Sequence, residues 1–188
     1  MGVVVAFMSI SLDGFIEGPQ QQLDWHRVDE DLHRHFNDAL RPMAAFLDGR
    51  TTYELMAGFW PTADADPDAS PAVADFARIW RDMPKLVYSR TLPSAGWNTT
   101  IRRDIDADEV RELASHGDVT VGGAGLITAF RERDLVDEYR VYMHPVLIGR
   151  GTRLFPDSDL TADLRLAGSR VFGNGVVLLH YARASSTA

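Results

Sequence analysis

A glycine-rich turn between a strand and a helix restricts the fold of this chain more than any other feature. Residues 118–127 begin with an apolar, β-branched run, place three glycines among four positions, and continue as a helical pattern of apolar residues. Such a turn leaves the first N–H groups of the helix unpaired, with the positive end of the helix dipole behind them. An anion can approach there because glycine has no Cβ. The segment predicts a phosphate site or a tight turn, and the motif by itself does not decide between them.

The same turn matches only part of the fingerprint of NAD-dependent dehydrogenases. Residues 123–128 follow the pattern Gly-x-Gly-x-x-Gly except at the last position, which is Thr128. The acidic ribose ligand of that fingerprint, about twenty residues further on, would fall within residues 142–145, where no acid is present. A dehydrogenase with the ordinary doubly wound topology is therefore disfavoured.

Strands and helices alternate along the first two thirds of the chain. The apolar run over residues 2–10 predicts a buried strand, and apolar residues at every fourth position from Val28 to Leu40 predict a helix over 25–40. Three prolines within residues 60–71 predict a surface loop. Further strands are predicted at 43–47, 85–88 and 99–101, and further helices from Arg50, over 72–83, over 106–115 and over 124–133.

The last third of the chain changes to an antiparallel pattern. A long strand is predicted over 137–148, and the segments 164–172 and 176–182 pair across residues 173–175, whose Gly-Asn-Gly sequence tolerates positive φ. The whole pattern predicts an α/β fold: a mixed sheet with helices on both faces and a C-terminal antiparallel hairpin. We expect one domain over residues 1–184 and a frayed tail over 185–188.

Composition and charge exclude several classes of function. The net charge of −8 argues against a nucleic-acid partner, because duplex binding needs a basic face. Without cysteine the chain has no thiolate ligand or nucleophile, and His33 and His35 are two positions apart on a predicted helix, which argues against a metal site. The apolar N-terminal run meets Ser9 and Asp13 too soon to be a signal or a membrane segment, so we expect a cytoplasmic protein.

Small polar or basic residues follow three of the predicted strands. The strand ends are residues 49–52 with the sequence Gly-Arg-Thr-Thr, residues 89–91 with Ser-Arg-Thr, and the glycine turn at 122–125. In an open α/β sheet ligands collect at the carboxyl ends of the strands. The three segments can therefore converge on one extended ligand that carries negative charge.

The order and spacing of these segments resemble the dihydrofolate reductase superfamily. The likeness is greatest to the small bacterial proteins related to the reductase (C-terminal) domain of the bifunctional riboflavin biosynthesis deaminase-reductase. It extends over nearly the whole chain and implies a three-layer, dihydrofolate reductase-like fold. The segments that carry it are 11–16 (Ser-Leu-Asp-Gly-Phe-Ile), Trp25, 49–52, 88–90 (Tyr-Ser-Arg), the glycine turn, 147–151 (Leu-Ile-Gly-Arg-Gly) and 154–155 (Leu-Phe).

The resemblance implies that the chain binds NADPH. Arg50 looks like the arginine that contacts the adenosine 2′-phosphate in this family, with Arg90 as a second one, since a guanidinium fork suits a phosphate. Backbone groups of Ser9 and Ile16 would hold the nicotinamide carboxamide, and residues 13–22 would close over the ring. The positions that the resemblance assigns to the cofactor are Ser9, Ile16, Gly49, Arg50, Thr51, Thr52, Ser89, Arg90, Gly122, Gly123, Ala124, Gly125, Leu126 and Ile127.

The implied reaction is hydride transfer to a small pterin-like or pyrimidine-like heterocycle. In dihydrofolate reductases a carboxylate on the first helix holds the substrate, and Asp31 is the best match, with Asp29 and Glu30 as alternatives. By the same likeness Asp13 borders the active site and His144 faces the substrate. The alternatives are a turn-forming role for Asp13, and a structural role for His144, which is the commoner one for a strand histidine next to proline.

A second interpretation keeps the cofactor groove without the reaction. The chain would then be a non-catalytic NADP-binding or regulatory module of the same fold. The related reductases pair through the edges of their sheets, so the resemblance also predicts a homodimer.

Overall fold

A computed structural model of the protein describes residues 2–184, and the predicted frayed tail at 185–188 lies outside this part of the chain. The strands are β1 (Val4–Ser11), β2 (Phe15–Glu17), β3 (Ala45–Gly49), β4 (Lys85–Tyr88), β5 (Thr99–Arg102), β6 (Val119–Gly122), β7 (Glu138–His144), β8 (Thr152–Arg153), β9 (Leu164–Val171) and β10 (Val177–Arg183). The helices are α1 (Glu30–Leu40), α2 (Arg50–Phe59), α3 (Pro71–Asp82), α4 (Ala107–Ser115) and α5 (Ala124–Arg131).

Eight of the strands form one mixed sheet in the order β5-β4-β3-β6-β1-β7-β10-β9. The six strands from β5 to β7 are parallel, whereas β10 runs antiparallel to both β7 and β9. The two outermost strands on this side are the arms of the C-terminal hairpin. The predicted fold class, with its mixed sheet and terminal hairpin, is confirmed.

Helices cover both faces of the sheet, which explains why the central strands are apolar throughout. On one face α4 and α5 contribute Val110, Ile127 and Phe130 to the larger core. On the other face α1, α2 and α3 form a second core, in which Trp80 is completely buried. No helix within residues 2–184 combines the length and the apolar character that crossing a membrane requires.

The first helix begins five residues later than its apolar periodicity predicted. Asp29 is the N-cap, with extended backbone angles, and its carboxylate accepts the N–H of Leu32 at 3.0 Å. This bond satisfies one of the unpaired donors of the first turn, so the helix starts at Glu30. Val28 matches the period but is 42% exposed, so it does not belong to the buried stripe of the helix.

The C-terminal hairpin forms as its turn residues predicted. Gly175 has a φ of +86° and donates its N–H to the carbonyl of Phe172 at 3.0 Å. The N–H of Phe172 in turn donates to Val176 at 2.9 Å, which closes the turn.

Three other boundaries differ from the prediction. The long strand ends at His144 and not at residue 148, because Pro145 has no N–H to donate to a neighbouring strand. The predicted loop at 60–71 opens with a 3-10 helix, Trp60–Ala65. The short strands β2 and β8 pair as a separate antiparallel ribbon that was not predicted.

Candidate active site

The three predicted strand ends lie side by side. Strands β4, β3 and β6 are parallel neighbours, with Gly49 opposite Tyr88 and Asp48 opposite Gly122. The segments that follow residues 49, 88 and 122 therefore leave the sheet at the same edge. The structure brings the proposed ligand segments together in the way that the sequence predicted.

Two helices begin at this edge without a capping side chain. Helix α2 starts after Gly49 and α5 after Gly123, and in neither does a side chain accept a hydrogen bond from the first turn. The first turns of α1, α3 and α4 are capped by Asp29, Ser70 and Asp106. The unpaired N–H groups of α2 and α5 thus form two neighbouring sets of donors that suit an anion.

Packing alone accounts for the first two glycines of the turn. A Cβ on Gly122 would lie 2.7 Å from Oδ1 of Asp48, and one on Gly123 would lie 2.8 Å from Oγ1 of Thr52. Gly123 also has a φ of +87°, which a residue with a side chain rarely adopts. A Cβ on Gly125, by contrast, would have no neighbour within 4 Å. The third glycine is therefore not required by the fold, and it leaves open space over the N-terminus of α5.

The end of the predicted glycine segment belongs to the core. The side chains of Leu126 and Ile127 are buried, and the N–H of Ile127 already donates to the carbonyl of Gly123 at 3.0 Å. The donors that α5 offers are the backbone N–H groups of Ala124, Gly125 and Leu126, which have no acceptor among residues 2–184. Ile127 offers no free polar group to a ligand.

The two predicted arginines lie at the same edge with their side chains largely in solvent. The Arg50 side chain is 51% exposed, with its guanidinium 3.4 Å from Oγ1 of Thr91 and 3.9 Å from the Glu54 carboxylate. The Arg90 side chain is 80% exposed and pairs with Asp104 at 2.8 Å. Such exposed pairs contribute little stability, so either guanidinium can exchange its partner for a phosphate.

The Ser89 hydroxyl stabilises its own turn. It accepts the N–H groups of Thr91 at 3.2 Å and Leu92 at 3.0 Å. The Arg103 guanidinium holds the same loop by donating to the carbonyls of Ser89 and Leu92. Arg103 was not among the predicted residues, and its contacts are structural.

A cavity of about 480 Å³ opens beside the glycine turn, on the face of the sheet that α1, α2 and α3 cover. Five of the predicted cofactor positions line it: Ser9, Ile16, Thr51, Thr52 and Gly122. Its walls are largely apolar and include six aromatic side chains: Phe7, Phe36, Phe46, Phe59, Trp60 and Phe76. Aromatic walls of this kind suit a flat ring.

The acidic residues at the start of α1 do not reach the cavity. Asp31 is 65% exposed and lies 3.5 Å from Arg170, Asp29 caps the helix, and Glu30 pairs with Arg34. The α1 residues that line the cavity are His33, Phe36 and Leu40, which share one face of the helix. The expectation that Asp31, Asp29 or Glu30 lines the substrate site is not supported, because these residues lie on other faces or at the cap.

Asp13 ties the turn after β1 to the segment after β7. Its carboxylate accepts the Ser11 hydroxyl at 2.6 Å and the N–H groups of Gly149 at 2.7 Å and Ile148 at 3.2 Å. Partial burial acts to raise the pKa of Asp13, but these hydrogen bonds outweigh it and hold the pKa below its usual value. The geometry shows an ionised anchor between two loops.

His144 lies behind the cavity wall. Its ring is fully buried, stacks on His26 with centroids 5.1 Å apart, and accepts the N–H of Arg27 at Nδ1. Burial lowers the pKa of both histidines to about 4, so both rings are neutral at pH 7. His26 lines the cavity and His144 does not.

Asp48 is a cavity residue that the sequence interpretation missed. Its carboxyl lies on the cavity wall although the residue is only 8% exposed. Burial raises the pKa of Asp48 to about 7, and the nearby Lys85 charge offsets only part of this effect. The sequence signal for Asp48 was the alternation of side chains along β3, which directs Phe46 and Asp48 to the same buried face.

Lys85 is buried on the same face of the sheet. Its ammonium donates to the carbonyls of Trp80 and Met83, the latter at 2.7 Å, and lies 4.4 Å from the centre of the Trp80 ring. Burial lowers the pKa of Lys85 to about 8. Lys85 thus caps the carbonyls at the C-terminal end of α3 and does not line the cavity. Within residues 2–184 no group of three histidine, cysteine or acidic side chains is arranged to hold a metal ion.

The chain matches a known family over most of its length. The family model described as the RibD C-terminal domain matches residues 3–178. Among individual proteins, YyaP of Bacillus subtilis is 32% identical over 181 residues, which cover 95% of this chain and 93% of YyaP.

Solved structures with the same fold include a Shewanella sp. PV-4 protein assigned to riboflavin biosynthesis. It has a TM-score of 0.74 and 22% identity, over 98% of this chain and 100% of that one. The diaminohydroxyphosphoribosylaminopyrimidine deaminase/5-amino-6-(5-phosphoribosylamino)uracil reductase of Thermotoga maritima has a TM-score of 0.66 and 13% identity, over 97% of this chain and 57% of that one. At these identities the likeness is evidence for the fold, and it confirms the predicted resemblance.

Proposed function

We propose that this chain, which belongs to the RibD C-terminal domain family, is a reductase that transfers hydride from NADPH to a small heterocycle. The observation that carries the proposal is the position of two uncapped helix N-termini, α2 and α5, beside an aromatic cavity at the same strand ends. An elongated ligand with a pyrophosphate and a flat ring matches this combination of donors and cavity.

The residues present fit the cofactor. The free N–H groups of α5 and those of Thr51 and Thr52 on α2 would bind the pyrophosphate, and the open space over Gly125 allows its close approach. Arg50 would bind the 2′-phosphate, because its guanidinium is solvent-accessible at the start of α2. The nicotinamide would enter the cavity beside Ser9.

When bound, NADPH supplies the hydride, and the protein aligns the reacting carbons and limits the access of water. The aromatic walls of the cavity would stack on a pyrimidine-like or pterin-like ring. Phe36 and Trp60, which pack against the second core and line the cavity, provide two of these surfaces.

A non-catalytic NADP-binding module remains a second candidate. The observation that favours it is the position of Asp31, whose carboxylate pairs with Arg170 outside the cavity. The two candidates differ in turnover and agree in cofactor binding.

The test of cofactor binding is a titration with NADPH and NADH of the wild type and the Arg50→Ala variant. We expect the wild type to prefer NADPH, and Arg50→Ala to lose about 10-fold in NADPH affinity, which corresponds to one charged hydrogen bond. NADH affinity should not change. Arg34→Ala is the matched control, because Arg34 is an exposed arginine on α1 that pairs with Glu30. Equal affinity of the wild type for both nucleotides would contradict the phosphate assignment.

The test of turnover follows the absorbance of NADPH with dihydropterins, dihydrofolate and ribosylated aminopyrimidines. Substrate-dependent oxidation of NADPH supports the reductase. Tight NADPH binding without turnover of any compound supports the non-catalytic module.

We also propose a homodimer that forms through the edge strand β9. In the described part of the chain this strand has a neighbour on one side only, and it exposes Leu164, Leu166 and Val171. Unpaired backbone groups next to exposed apolar side chains favour pairing with a second copy of the same strand.

A further inference from the structure

The charge of the cavity wall restricts the part of the substrate that enters it. Among residues 2–184 no lysine or arginine lines the cavity, and the titratable residues that do are Glu17, His26, His33 and Asp48. A phosphate or carboxylate within it would lack a cationic partner, and burying such a group without one is costly. The buried part of the substrate is therefore neutral or positively charged.

Asp48 provides the acidic group of this wall. One of its oxygens lies 2.7 Å from the position that a Cβ of Gly122 would occupy, so the carboxyl is accommodated only because residue 122 is glycine. The carboxyl makes no hydrogen bond to any residue of the described chain, 2–184. Lys85, on the neighbouring strand, directs its ammonium to the carbonyls of Trp80 and Met83.

A buried carboxyl without a partner is uncommon, because buried polar groups are almost always hydrogen-bonded. The other titratable groups of the cavity differ from Asp48. Nε2 of His26 is also buried without a hydrogen-bond partner, but a neutral imidazole cannot offer two acceptor oxygens. Glu17 accepts the Thr152 hydroxyl at 2.7 Å, His26 stacks on His144, and His33 packs against Trp60 and Phe76. Among residues 2–184, Asp48 is the buried carboxyl on the cavity wall that has no hydrogen-bond partner.

We propose that Asp48 is a specificity-determining residue that accepts hydrogen bonds from adjacent N–H groups of the substrate. The substrate class that fits is a flat nitrogen heterocycle with an amino group next to a ring nitrogen, because two neighbouring N–H groups match the two oxygens of a carboxylate. The inference rests on the proposed function for the identity of this cavity as the substrate site. It does not depend on how the phosphates of the cofactor are bound.

Benzamidine and benzamide are suitable probes of this contact. Both are flat and of similar size, but only the amidinium of benzamidine presents parallel N–H groups from two nitrogens, together with a positive charge, to a carboxylate. Binding can be followed through the change in tryptophan fluorescence, because Trp60 is the one of the four tryptophans that lines the cavity in the described structure. We expect the wild type to bind benzamidine at least 10-fold more tightly than benzamide at pH 8, and Asp48→Asn to remove this preference.

Asp38→Asn is the matched control, since Asp38 is an exposed aspartate on α1 and does not line the cavity. It should retain both the preference for benzamidine and the NADPH affinity of the wild type. Asp48→Glu, which keeps a carboxylate on the wall, should retain part of the preference. Equal benzamidine affinity in the wild type and Asp48→Asn would overturn the inference.

A second measurement keeps the inference testable if Asp48→Asn does not fold. Because the pKa of Asp48 lies near 7, benzamidine affinity of the wild type should rise between pH 6 and pH 8, while benzamide affinity stays constant. The groups that face Asp48 are Lys85 on β4, Thr52 on α2 and Gly122 on β6, and neither Thr52 nor Gly122 titrates. Benzamidine affinity that does not change over this range would contradict the contact. Failure of NADPH binding is a separate result, because it would reject the proposed function and leave the benzamidine preference measurable.

Discussion

Substitution of the glycines after β6 separates the requirements of the fold from those of the ligand. Gly123→Ala places a Cβ 2.8 Å from Oγ1 of Thr52 at a residue with φ +87° and ψ 132°. Such a backbone conformation costs a residue with a side chain about 1–3 kcal/mol, and Thr52 must also rotate. For a chain of this size the expected loss in melting temperature is roughly 2–12 °C.

Gly125→Ala should have the opposite effect on stability. Its Cβ meets no atom within 4 Å, and alanine is about 0.5–1 kcal/mol more favourable than glycine in a helix, so the melting temperature should rise slightly. The same Cβ would stand over the free N–H groups of α5. If the pyrophosphate lies there, the loss of a hydrogen bond to a charged group costs about 1.5–3 kcal/mol, or roughly 10–150-fold in NADPH affinity.

Thermal unfolding and NADPH titration of the two variants test this reasoning together. The expected result is a stable Gly125→Ala protein that binds NADPH weakly. The double variant Thr52→Ala/Gly123→Ala should recover only the part of the stability loss that comes from the contact with Thr52. Wild-type NADPH affinity in Gly125→Ala would refute the close approach of the cofactor at α5.

Two further predictions concern the buried carboxyl and the edge strand. The pKa of Asp48 is raised from 3.8 to about 7, so its contribution to stability is complete below pH 3.8 and is lost as the pH rises to about 7. In urea unfolding, the free energy of unfolding of Asp48→Asn should therefore exceed that of the wild type by up to about 4 kcal/mol at pH 8 and by much less at pH 5. An equal difference at both pH values would show that the carboxyl is not buried in solution. In light scattering the wild type should have twice the chain mass of 20.9 kDa, and Leu166→Glu on β9 should be monomeric. The control Leu147→Glu, at an exposed leucine outside β9, should remain dimeric. A monomeric wild type would reject the dimer.

Much of the fold was accessible from the sequence because its strongest signals are local. The turn at Gly175 specifies the hairpin, and the apolar strands report a sheet that is covered on both faces. The convergence of Gly49, Ser89 and Gly122 followed from a general property of parallel strands, whose carboxyl ends share one edge.

Other parts of the fold depend on contacts that a single stretch of sequence does not contain. The paired strands β2 and β8 have three and two residues, which are too few to show a periodic pattern. The start of α1 is set by the Asp29 cap, whereas Val28 continues the apolar period beyond it. Periodicity describes the buried face of a helix, and the cap determines where that helix begins.

The rotation of α1 about its axis explains why Asp31, the carboxylate predicted from the likeness, lies outside the cavity. The cofactor positions stay a prediction, and those at the strand ends lie at one edge of the sheet. The predicted cofactor positions at the strand ends depend on backbone groups, whose direction follows from the sheet and the helix starts at Gly49 and Gly123. A catalytic side chain depends on the helical face, and one step along α1 turns a residue by about 100°. Asp31 thus faces Arg170 while His33 faces the cavity. An acidic group for the cavity is supplied by β3 at Asp48, where strand alternation fixes its direction inward.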